Sequence, residues 1–310
     1  MNIRRWLARL GAQEDLNFLL TNRVPRIALT RFMGRFSQVE QPLVRDLSLA
    51  VWRMFADLEL DDTEQRAFKS MRDCFTRGLR PGARPIDPDP GVIVSPCDAI
   101  LGAHGAIAGT AVFQAKGFPY RLDELLPDPM LAAEFRDGCF ATLRITSSMY
   151  HRFHAPDACR VTRVDYVSGD TWNVNPIALR RVERLFCRNE RAVLRMTLDD
   201  GTRIALVAVA AILVASIRLH FADVRLHLRY RGKNPIECDY HARRGEELGW
   251  FEQGSTMLVF APAGYQPCPS IREGDVLRMG QPLFRKPGRN AAELAPPMDP
   301  SATAARPEET

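Results

Sequence analysis

The segment that most constrains this chain is "RPGARPIDPDPGV", residues 80–92. Four prolines in ten positions fix φ and remove backbone donors, so neither a helix nor a central strand continues through it. Upstream, "LVRDLSLAVWRMFADLEL" repeats apolar residues every three or four positions, the spacing of an amphipathic helix. "DDTEQRAFKSMRDCFTRGL" opens with an acidic, capping-prone turn and predicts a further helical stretch. Downstream, short apolar or alternating runs dominate: "VIVSP", "AVFQA", "FATLRIT", "CRVTRVDYV", "AVLRMTL" and "STMLVF", separated by Gly and Asp turns. The expectation is an α+β chain: a helical amino-terminal region over residues 1–78, then a mostly antiparallel β-rich domain over 79–285. "RLDELL" fits one short helix within it, and the Pro- and Ala-rich tail, 286–310, is expected to be disordered.

The most apolar run, "IALVAVAAILVASI" at 204–217, is shorter than the roughly 20 residues a membrane-spanning helix needs. It follows a turn signal at Asp199-Asp200-Gly201, so it reads as the second arm of a hairpin buried in the core. The seven cysteines are scattered and form no C-x-x-C pair, which speaks against a disulfide framework or a zinc site and for a reducing compartment.

The formal charge of +5 is concentrated at the amino end, where residues 1–36 hold seven arginines against Glu14 and Asp15. The first twenty residues lack the continuous apolar core of a signal peptide. Arginines interspersed with Trp6, Leu7, Leu10 and Phe18 suit a helix lying on an anionic membrane, and equally an amphipathic helix packed on the protein itself. Basic and aromatic interleaving stops there, so no nucleic-acid partner is expected.

Three features carry potential chemistry. Asp98 stands in "VSPCDAI" after a strand-like run. "YHRFHAP" places His151 and His154 three apart, and "EQGSTMLVF" places Gly254-Ser255 directly before a buried strand. Each has an ordinary structural reading, as a turn, a satisfied histidine pair or a glycine turn. Two histidines without an acidic partner are a weak metal signal, and no metal is expected. Together, Asp98, His154 and Ser255 form the parts list for activating a hydroxyl. Ser255 is not in a G-x-S-x-G elbow, and its hydroxyl adjoins a peptide bond whose carbonyl belongs to Gly254.

In order, "CFTRGLRPGARPID", "SPCDAI", "KGFPYRLDELL", "YHRFHAP", "NPIAL" with "LFCRNERAVL", "GEELGWFEQGSTMLVF" and "VLRMGQPL" resemble the phosphatidylserine decarboxylase proenzyme family, of the bacterial membrane-associated type, from about Phe75 to Leu283. Ala99, Ala210, Ala215 and Gln253 depart from the family's pattern. The resemblance implies self-cleavage between Gly254 and Ser255, with His154, oriented by Asp98, taking the Ser255 proton. It implies a β chain of residues 1–254, an α chain of 255–310, and a pyruvoyl cofactor made from Ser255 that forms a Schiff base with phosphatidylserine. Carbon dioxide and phosphatidylethanolamine would be the products, with His151 assisting decarboxylation. A homodimer of such pairs, peripheral on the cytoplasmic side of the inner membrane, is implied as well. The competing readings are a serine hydrolase using Asp98, His154 and Ser255, and a lipid-binding paralogue that does not mature.

Overall fold

The computed structural model describes residues 13–288, apart from 66, 116–117, 214–215, 229 and 253–254. Three helices, Glu14–Asn22, Arg26–Phe36 and Pro42–Phe55, begin the described chain. Pro42 is pre-set for a first helical turn, and the Gln41 side chain accepts from the Val44 amide at 2.8 Å, which fixes where the third helix starts. The helical stretch expected from residue 61 is much shorter. Thr63 pairs with Leu79, and its hydroxyl bonds to the carbonyls of Leu60 and Gln65, side-chain bonds that compete with a helical ladder. Helix returns only at Met71–Phe75, where Ser70 accepts from the Asp73 amide.

The β-rich remainder is built on an eight-stranded antiparallel sheet. Its strands run, from one edge to the other, Ile236–Ala242, Cys159–Val167, Arg191–Leu198, Arg203–Ala210, Ser255–Ala261, Cys139–Ile145, Ala99–Ala106 and Val276–Leu277. The expected hairpin joins the Arg191–Leu198 and Arg203–Ala210 strands, with Gly201 at φ 84° and the Leu198 amide bonded to the Thr202 carbonyl. The Ser255–Ala261 strand is buried along its whole length, and Arg203–Ala210 at all but Arg203, so both read as continuous apolar runs without alternation. "RLDELL" contains the short helix Leu122–Leu125. Arg191 ties it down from within the core, donating to the carbonyls of Leu125, Cys187 and Asn189.

A second, four-stranded sheet runs Val224–His227, Ser216–Leu219, Glu247–Phe251, Arg152–His154. Three neighbouring strands of the large sheet connect to three neighbours of the small one in the same order. Arg203–Ala210 leads to Ser216–Leu219, Glu247–Phe251 leads into Ser255–Ala261, and Cys139–Ile145 leads to Arg152–His154. The chain thus crosses one seam three times, after Ile145, after Ala210 and after Phe251. The apolar run at 204–217 is split by this seam after Ala210. Within the small sheet Gly249, paired with Leu219 and Phe153, lets the strands approach closely, since a Cβ on it would lie 2.0 Å from the Arg218 carbonyl oxygen.

The amino-terminal helices cover the seam. Thr30 accepts from the Leu213 amide at 3.0 Å, the Arg72 amide reaches the Ser37 carbonyl, and Arg26 pairs with Asp170 while lying 3.8 Å over the Trp172 ring.

Candidate active site

Between the helices and the seam lies a cavity of about 960 Å³. Met33, Phe36, Trp52 and Phe75 line one side, and Ile145 and Ala211 belong to the seam on the other. Ser255 begins its strand beside this space, its Cα paired with Ile145 on one flank and Ala210 on the other. It is fully buried, and its Oγ has no hydrogen-bond partner among the described residues. A buried hydroxyl without a partner costs on the order of 1–3 kcal/mol, a cost that persists where the group has chemistry to do. Gly254 and Gln253 lie outside the described residues.

His151 immediately precedes the short strand Arg152–His154, which His154 ends, and the two rings point to different partners. The Nδ1–H of His151 donates to the Met149 carbonyl at 2.8 Å, so the neutral ring carries its lone pair on Nε2, and that atom is buried without a partner. Burial pushes the His151 pKa down to about 3; the Met149 bond opposes this and the Arg77 cation adds to it. Its ring sits 3.9 Å from that of Phe75, which stacks in turn on Trp52. Arg77 is itself buried and donates to the carbonyls of Cys74, Glu59 and Ser148, holding the loop before His151.

The Nδ1–H of His154 donates to the Gly245 carbonyl at 3.0 Å, and its Nε2 accepts from the Tyr150 hydroxyl at 3.0 Å. Burial lowers its pKa, partly offset by the Gly245 bond and the carboxylates of Glu247 and Asp98. Burial pushes the Tyr150 phenol up, so it stays a donor.

Asp98 is fully buried, and its carboxylate is bonded to residues other than His154. Arg84 grips both oxygens, Arg278 reaches Oδ2 at 3.0 Å, and the Met279 amide donates to Oδ1 at 2.8 Å. Its link to His154 runs through charge and backbone: the His154 amide bonds to the Pro96 carbonyl at 2.8 Å, two residues before Asp98. Tyr150, Arg77, Arg84 and Arg278 escaped the sequence reading. The available signal was their presence inside the motifs "YHRFHAP", "CFTRGLRPGARPID" and "VLRMGQPL". Among the described residues, no cluster of three or more His, Cys, Asp or Glu is arranged to hold a metal ion.

The sequence profile of the phosphatidylserine decarboxylase family matches residues 71–285. The phosphatidylserine decarboxylase proenzyme of Chromobacterium violaceum is 35% identical over 285 residues, covering 87% of this chain and 99% of the relative. This chain belongs to the phosphatidylserine decarboxylase family. The proenzymes of Anaeromyxobacter sp. (35% identical; 84% of this chain and 94% of the relative) and Pseudomonas fluorescens (36%; 84% and 93%) are similar over most of their length. The ordered motifs from Phe75 to Leu283 thus identified the family correctly, and as a phosphatidylserine decarboxylase the protein is a carboxy-lyase. The Ala210 departure places a methyl group beside Ser255 in the sheet; Ala215 lies outside the described residues.

Proposed function

We propose that the chain cuts itself between Gly254 and Ser255 and, as chains of residues 1–254 and 255–310, decarboxylates phosphatidylserine to phosphatidylethanolamine at a membrane surface. The observation that carries this is the buried, unpartnered Ser255 hydroxyl at the seam, next to a large apolar cavity. His154 takes the Ser255 proton, its Nε2 exchanging the Tyr150 donor for the serine. Asp98 supports it by fixing the turn that holds the His154 backbone and by its charge. Ser255 Oγ attacks the Gly254 carbonyl, and the peptide becomes an ester. Loss of the Ser255 α-proton expels the Gly254 carboxylate, and hydrolytic loss of ammonia leaves a pyruvoyl group on residue 255.

The position suits that group: Ser255 is anchored by strand pairing on both sides, and converting its hydroxyl breaks no hydrogen bond of the described residues. The group supplies an electron sink for the carbanion left when carbon dioxide departs. His151, neutral and with a free Nε2, is the polar side chain offered to the reacting headgroup, and Phe75 and Trp52 keep water from it. In the uncut chain the Ser255 hydroxyl is fully buried, which weighs against a hydrolase that would act without self-cleavage. The test is formation of phosphatidylethanolamine from phosphatidylserine in mixed micelles: the wild type converts it, Ser255→Ala does not, and conversion by the variant contradicts the proposal.

The cavity has the size and apolar lining for lipid chains, at the upper end of the roughly 300–1,000 Å³ usual for ligand pockets. The Pro42–Phe55 helix exposes Leu43, Leu47, Val51 and Met54 on one face, and Leu47 and Val51 also line the cavity, so its mouth is rimmed with apolar side chains. Exposed Arg23, Arg31 and Arg35 stand on or near the two preceding helices, which suits an anionic, cytoplasmic leaflet. Arg4, Arg5 and Arg9 lie outside the described residues, and Arg26 serves the fold through Asp170. Among the described residues no helix is long and apolar enough to cross a membrane. Changing Leu43, Leu47 and Val51 together to glutamate is expected to weaken binding to phosphatidylserine vesicles about tenfold or more, because apolar burial and charge both turn unfavourable. Flotation equal to the wild type refutes this docking face. We further propose that residues 1–78 associate with the membrane, that 79–285 hold the catalytic residues, and that the cut chains pair as a homodimer, as the family resemblance implies.

A further inference from the structure

Glu252 is the first residue beyond the Glu247–Phe251 strand and stands two positions before Gly254. It is 6% exposed, and a carboxylate so buried costs several kcal/mol unless it is paired. Both of its oxygens are paired, with partners from different parts of the molecule. Arg72, on the Met71–Phe75 helix, holds Oε1, and Arg225, on the edge strand Val224–His227, holds Oε2. Arg225 also donates to the Ser216 hydroxyl at 2.8 Å, and the Glu252 amide reaches the Ser216 carbonyl at 3.1 Å. Residue 252 is thereby fixed on one side of the seam, just as strand pairing fixes Ser255 on the other.

We propose that Glu252, gripped by Arg72 and Arg225, is a positioning residue for self-cleavage, setting the span across which the Ser255 hydroxyl meets the Gly254 carbonyl. Three residues of chain reach at most about 10 Å, so a shift of one anchor moves the scissile carbonyl directly. A misplacement of about 1 Å is enough to cost a reaction of this kind on the order of 10²-fold. The charges favour the same step. Two guanidinium groups face one carboxylate, and the surplus positive charge lies near the place where expulsion of Gly254 creates a second carboxylate. The helix that carries Arg72 also carries Met71 and Phe75, which line the cavity, and Phe75 packs on His151. One short helix therefore joins the cavity wall, a site histidine and the anchor of the scissile segment.

This inference rests on the reading that the chain cuts itself, and the two fail differently. The experiment follows fragment formation on denaturing gels after synthesis of the full chain as wild type, Glu252→Gln, Arg72→Gln, the double variant and Glu252→Ala with and without added formate. Melting temperatures are taken in the Ser255→Ala background, where no chain is cut. The expected result is that each single variant slows cleavage at least tenfold, the double is no slower than the slower single, and formate restores part of the rate to Glu252→Ala. A wild type that stays whole overturns the self-cleavage reading. A wild type that cuts while Glu252→Gln cuts equally fast overturns the positioning role alone. So does slowing that tracks lost melting temperature, without formate rescue.

Discussion

Replacing His154 by alanine is expected to slow self-cleavage by about 10²–10⁴-fold, the range for loss of a positioned general base. The expectation follows from how the ring is held. Donation of Nδ1–H to the Gly245 carbonyl leaves the lone pair on Nε2, and burial lowers the pKa, so the imidazole is neutral and able to accept a proton near neutral pH. Removing it leaves the Ser255 hydroxyl, with an intrinsic acidity far too low for attack, without a base. Asp98 cannot substitute, because Arg84, Arg278 and the Met279 amide occupy its oxygens. The rate is read from the fraction of cut chain against time, and a variant that cuts as fast as the wild type removes His154 from this role.

The second large effect is on stability in acid. His151 has a reference pKa of about 6.5 unfolded and about 3 folded. Between those values the unfolded chain binds a proton that the folded chain refuses, so stability falls as pH drops below about 6.5 and continues to fall towards 3. At pH 4.5 this amounts to on the order of 2–3 kcal/mol relative to neutral pH, and His154, also lowered, acts in the same direction. Urea unfolding of Ser255→Ala, a single uncut chain, at pH 7 and 4.5 measures the loss. The added substitution His151→Gln is expected to remove most of it, and equal losses with and without His151 contradict the assignment.

What the sequence made legible was set by local physics. The Asp199-Asp200-Gly201 turn was readable because a positive φ selects glycine, and the buried strands because their apolar runs are short and bounded by turns. The family was readable from motifs in order. The split of 204–217 was not, because both halves are buried and hydrophobicity does not change where the chain passes from one sheet to the other. The missing helix at 61–70 turned on Thr63 pairing with Leu79, a contact that propensity does not encode. In the site, residue types were legible and partners were not: Asp98 is held by Arg84, fourteen positions away, and by Arg278 from near the end of the described chain. Glu252, to which the sequence assigns no role, is held by arginines on two separate elements.

The most direct test of the account is the intact mass of the purified, denatured wild type beside Ser255→Ala. The account predicts two wild-type masses that meet between Gly254 and Ser255, the smaller with a ketone in place of its terminal amine, and one uncut mass for the variant. A single wild-type mass equal to the full 310-residue chain would contradict it.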